Sequence, residues 1–116
     1  MPGMTDLAEL RGVAMALPGV VETTHFRLPA FTVAGKGFLT VEQGGTAAIV
    51  AAGEPEAAEL AAADPDLFEV VRRHEKTDVG VRIHDLGAVP LDRLRPLVEA
   101  AWRTKAPKTL QAQYTG

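Results

Sequence analysis

The stretch from Val20 to Ala52, VVETTHFRLPAFTVAGKGFLTVEQGGTAAIVAA, decides the fold. It holds four apolar or β-branched segments with no helix-length run between them. Val20 to Phe26 is rich in β-branched residues, which favour strands. Pro29 interrupts the next segment and predicts an edge or a bend there. Ala30 to Val33 and Phe38 to Val41 flank Ala34-Gly35-Lys36-Gly37, a hairpin signal. Gln43-Gly44-Gly45-Thr46 predicts a second turn, leading into a buried strand over Ala47 to Ala52. Consecutive strands joined by tight turns imply an antiparallel sheet.

Helical patterns stand on either side. Asp6 is a good N-cap, with Glu9 at the capping-box position. Leu7, Leu10, Ala14 and Leu17 follow at helical spacing, and Pro18-Gly19 stops the run. Glu54 to Ala63 is rich in Ala, Glu and Leu and reads as a helix with an acidic start. Asp64-Pro65-Asp66 predicts a short restarted helical turn. Val70 to Arg73 and Val79 to Ile83 read as two further strands around the polar loop His74 to Asp78. In the last helix Asp92 is the expected cap, with Pro96 near the first turn. Leu94, Leu97, Val98, Ala101 and Trp102 form one apolar stripe, and Pro107 ends the helix. The expectation is one α+β domain over residues 1–116, two-layered, with an antiparallel sheet covered by helices.

Composition excludes several chemistries. The 116 residues contain no Cys, Ser or Asn. Disulfides, thiolate metal sites, cysteine nucleophiles and serine hydrolase triads are therefore ruled out. No apolar run approaches a membrane span and no export signal is visible, so no membrane partner and a cytoplasmic location are expected. His25, His74 and His84 match no metal-ligand spacing. Gly35-Lys36-Gly37 lacks the spacing and following helix of a phosphate-binding loop. No catalytic residue, metal or cofactor is expected, and the chain is read as not an enzyme.

Net charge is −3, yet it divides unevenly. Up to Val70 there are three bases and ten acids; beyond it, nine bases and five acids. Arg72, Arg73, Lys76 and Arg82 lie on or between the late strands. Arg103, Lys105 and Lys108 follow at the end of the last helix. Several cations on one face are what phosphate-backbone contact requires. Cations at a helix C-terminus also complement its dipole without any partner.

Taken in order, these residues resemble a known family. Pro18-Gly19-Val20 and then Pro29-Ala30-Phe31-Thr32-Val33-Ala34-Gly35-Lys36-Gly37-Phe38 are similar to the opening of MmcQ/YjbR-like proteins. Pro65 to Phe68 resembles their next element. Glu99-Ala100-Ala101-Trp102-Arg103, followed by Ala106-Pro107-Lys108 and Leu110, resembles their last helix and its exit. Many members carry Trp where this chain has Gly80, and Ser-Tyr where it has Ala101-Trp102. The resemblance implies the order α-β-β-β-α-β-β-α, as in secretion-chaperone-type domains. It also implies DNA binding through a double wing of hairpins. Here the wings would be the Lys36 hairpin and the His74–Asp78 loop with Arg72, Arg73, Lys76 and Arg82. The expected partner is double-stranded DNA held by its phosphates. The alternative is a protein-interaction module or homodimeric adaptor working through a sheet edge or apolar face.

Overall fold

The computed structural model describes residues 6–25, 27–73 and 78–114. Six strands form one sheet: β1 (Val20–His25), β2 (Leu28–Val33), β3 (Lys36–Val41), β4 (Ala48–Ala51), β5 (Phe68–Arg73) and β6 (Asp78–Ile83). Their order across the sheet is β1-β2-β3-β4-β6-β5, and every neighbouring pair is antiparallel. Four helices accompany them: α1 (Leu7–Met15), α2 (Glu54–Ala63), α3 (Leu91–Lys105) and α4 (Lys108–Gln113). The α+β class is as the sequence predicts. The strand expected over Ala47 to Ala52 is β4, one more before α2 than the order implied by the resemblance; a short 3-10 turn, Leu86–Ala88, and α4 are additions to both.

Register explains why this sheet has one dry face. Phe31, Leu39, Val50, Val81 and Val70 lie in one cross-strand row. Val41, Ala48, Ile83 and Phe68 form the next. All but half-buried Val70 are buried. Because side chains alternate along a strand, the intervening row faces the other way. That row is Ala30, Thr40, Ile49, Arg82 and Glu69, and it grows more polar toward β5.

The helices cover the dry face. α2 packs on β5 and β6, α3 on β3 and β4, and α1 lies beside α3 and β1. The inward stripe of α3 is Leu94, Val98, Ala101 and Trp102, all buried. Trp102 is fully enclosed, and its indole Nε1 donates to Pro18 O at 3.0 Å. That bond ties α3 to the chain just before β1. It also satisfies the one polar group that makes a buried Trp costly.

Local chemistry sets the boundaries. Asp6 and Glu9 form the expected capping box on α1. The β2–β3 hairpin turns through Ala34 (φ 52°) and Gly35 (φ 78°). Positive φ at both central residues matches the right-handed twist of the flanking strands. A bulge follows, since Phe31 pairs with Leu39 but Thr32 with Gly37, leaving Phe38 extra. Asp64-Pro65-Asp66 makes the expected short turn, with Asp64 O accepting from Leu67 N and Phe68 N. Pro90, in extended conformation, is the N-cap of α3, so Asp92 lies inside the first turn. The helix thus begins earlier than expected, and Pro96 lies within it. β2 is an interior strand despite Pro29, which precedes its first pair with β3, Ala30 with Thr40. At Gly80 the β4 and β6 backbones come close: a Cβ there would lie 2.8 Å from Val50 O. A tryptophan at this position would force those strands apart.

Candidate functional site

The register assigns each basic residue an end of the sheet. Val33 and Lys36 close the β2–β3 hairpin, and the pair Arg73 and Asp78 closes β5–β6. Following pairs across the sheet, both hairpins lie at the end where β4 finishes at Ala51. The C-terminal part of α3 reaches the same end, because Arg103 and Thr104 line one groove with Ala51, Ala52 and Gly53. α4 sits there too: a Cβ on Gly19, next to β1, would collide with Leu110.

Lys36 is exposed on the tip of its hairpin. Arg72 is exposed but engaged: both of its terminal nitrogens bond the Glu54 carboxylate, Nη1 at 3.0 Å from Oε1. The pair holds Glu54 below the ordinary carboxylate range, chiefly through that hydrogen bond. Arg73 has its backbone at the same end; its side chain, like the whole of Lys76, lies outside the described residues. Arg103 is exposed, with its guanidinium over the rings of Trp102 (5.9 Å) and Tyr114 (5.6 Å). Lys105 is half-buried in the last turn of α3, and Lys108 is exposed at the start of α4.

Arg82 is not with them. It lies near the opposite end of the sheet, on the outward face, paired with Ile49 and Glu69. Nε and Nη2 bond the Glu42 carboxylate at 2.8 and 3.2 Å, and Nη1 bonds Glu69 at 3.1 Å. His84 Nε2 stands 3.2 Å from the same Glu69 oxygen. A guanidinium engaged along both edges has little left to offer a phosphate. Its partners lie 40 and 13 positions away, so the arrangement follows from the register alone. Of the sequence-derived set, one end of the sheet gathers Lys36, Arg72, the Arg73 backbone, Arg103, Lys105 and Lys108, and leaves out Arg82.

Tyr114 sits beside this group. Its hydroxyl donates to Glu99 Oε2, and its ring meets Trp102 edge-on at 5.5 Å. The Glu99 bond pushes the phenol above its ordinary range. The groove between α2 and α3 was not marked by any sequence motif. Its volume is about 750 Å³, and it is lined mainly by apolar residues with Glu56, Glu59 and Arg103 among them. Among the described residues no group of three or more His, Asp or Glu converges as a metal site, and no helix is long and apolar enough to cross a membrane.

No curated protein matches the chain. The fold is similar to the crystal structure of Deinococcus radiodurans protein DR2400, a DUF419 domain protein. That likeness has a TM-score of 0.73 and 21% identity, over 97% of this chain and 89% of the other. At such identity it speaks for the fold alone. The YjbR family model matches residues 15–104, from the end of α1 through nearly all of α3. The chain belongs to the YjbR family.

Proposed function

We propose that this is a non-enzymatic DNA-binding protein that contacts the phosphate backbone of a duplex with the two-hairpin end of its sheet. The observation that carries the reading is the register, which sets the Lys36 hairpin and the Arg73–Asp78 hairpin at one end. Their centres are three strand spacings apart, about 14 Å. The major groove is about 12 Å wide, so the spacing of the two closing strand pairs matches the span between its flanking phosphates. Arg103, Lys105 and Lys108 arrive at the same end from the helical layer. Lysines on hairpin tips serve as point charges toward phosphate and need no fixed geometry.

Arg82 supplies the control. Lys36→Ala and Arg73→Ala should each weaken duplex binding alike across sequences and lower the salt slope by about one unit. Arg82→Ala, whose guanidinium is held by Glu42 and Glu69, should leave that slope unchanged. The reverse pattern, a loss with Arg82→Ala alone, overturns the assignment of the interface.

One observation favours a second reading, self-association. β1 is an edge strand, and Val21 on it is 58% exposed. An open edge with an exposed apolar side chain can pair with a second copy. Light scattering over a concentration series tests this: a rise to twice the monomer mass supports it, and a constant monomer mass removes it.

A further inference from the structure

The groove between α2 and α3 exists because α2 is built from small residues. Only Ala57 of this helix is buried, and Leu60 is its one large apolar residue. Opposite, α3 presents Leu97 and Ala100. Alanine methyls cannot span the gap, so the two helices leave an open trough above the end of β4. Its volume, about 750 Å³, falls within the roughly 300–1,000 Å³ of pockets that enclose small organic ligands. Along α2 it runs from Glu56 to Ala63, which is about 10 Å of helix. A helix with its side chains is about as wide as that, so a helical partner would cover two turns at most. A compact molecule fits the trough better.

Charge within the groove selects the polar end of that molecule. Glu56 and Glu59, three residues apart on α2, both line it. The Glu56 carboxylate folds back to the groove end, since a Cβ on Gly53 would collide with Glu56 Oε1. Neither carboxylate has an ion-pair partner among the described residues. The one cation in the lining, Arg103, has its guanidinium over the Trp102 and Tyr114 rings. The unmet charge is therefore negative and lies on the α2 side. Both carboxylates are exposed where they line the groove, so an amine can meet them while its apolar body lies on Leu60, Leu97 and Ala100.

We propose that the α2–α3 groove binds a small organic cation, an apolar body carrying an amine, with the amine at Glu56 and Glu59. This site borders the proposed duplex face at Arg103 but uses neither hairpin, and either reading can fail without the other. The probe is n-octylamine, titrated near neutral pH into the isotope-labelled full chain and followed by amide NMR. Octanoate and octan-1-ol of equal chain length are the comparison arms. The expected result is saturable shifts centred on Leu60, Leu97 and Ala100, with octanoate at least about tenfold weaker. Glu56→Gln with Glu59→Gln should lower octylamine affinity several-fold and leave octanol binding unchanged. Ala100→Leu, which narrows the trough, should weaken both. Octylamine shifts that never saturate, that map elsewhere, or that octanoate reproduces at equal strength overturn the proposal. Binding of a basic amphipathic peptide without binding of octylamine overturns it in favour of a protein partner.

Discussion

At the scale of single residues, Ala34 carries a measurable cost. It occupies the left-handed region at φ 52° in a turn whose second residue is Gly35. Such a position costs an L-residue roughly 1–2 kcal/mol, and Asn-Gly is the favoured pair for this turn. Ala34→Asn should therefore stabilise the chain by about 0.5–1 kcal/mol, read as a melting midpoint a few degrees higher. An unchanged or lower midpoint would mean the hairpin is not turned as described. Tyr114 gives a second residue-scale test, and a clean one, because the chain has one tyrosine. Its phenol is pushed up, first by the Glu99 hydrogen bond. A raised folded pKa stabilises the neutral form. That contribution is fully present below the phenol's ordinary pKa of about 10 and is lost as pH climbs through the raised value. Phenolate absorbance against pH should show a midpoint above the ordinary value, and Glu99→Gln should bring it down. A wild-type midpoint at the ordinary value would contradict the Tyr114–Glu99 bond.

At the scale of elements, much was legible in the chain and some was not. The bounds of α2 follow from an Ala/Glu/Leu run after Gly53, where propensity has no competitor. The capping box of α1 is readable because its partners are three residues apart. The start of α3 is not, because Asp92 looks like a cap while Pro90 already has the extended backbone of one. α4 is six residues with no apolar stripe of its own, and it is held by Leu110 against Gly19. The Arg82 clamp and the groove depend on how distant strands and helices are set side by side, which no local pattern records. Trp102 is the joint of these elements, donating to Pro18 O and meeting the Tyr114 ring edge-on. Trp102→Phe leaves that carbonyl short of a donor and a space in the core. It should cost about 2–3 kcal/mol in chemical denaturation with an unchanged slope. A loss under about 0.5 kcal/mol would show that the tie between α3 and β1 is not structural.

At the scale of the whole molecule, charge and shape work against each other. The net charge is −3, which repels a polyanion at long range, so any duplex contact must come from a local face. The antiparallel register provides one by turning two hairpins and the exit of α3 to the same end. It also removes Arg82 from that face and engages Arg72 with Glu54. The account therefore predicts modest binding with few phosphate contacts rather than the steep salt response of a strongly basic protein. The most direct test is fluorescence anisotropy of a labelled DNA duplex titrated with the full chain at several salt concentrations. The account predicts saturable binding at low salt that weakens on raising salt, with a log–log slope of about two to four. No binding at low salt, or binding indifferent to salt, would contradict it.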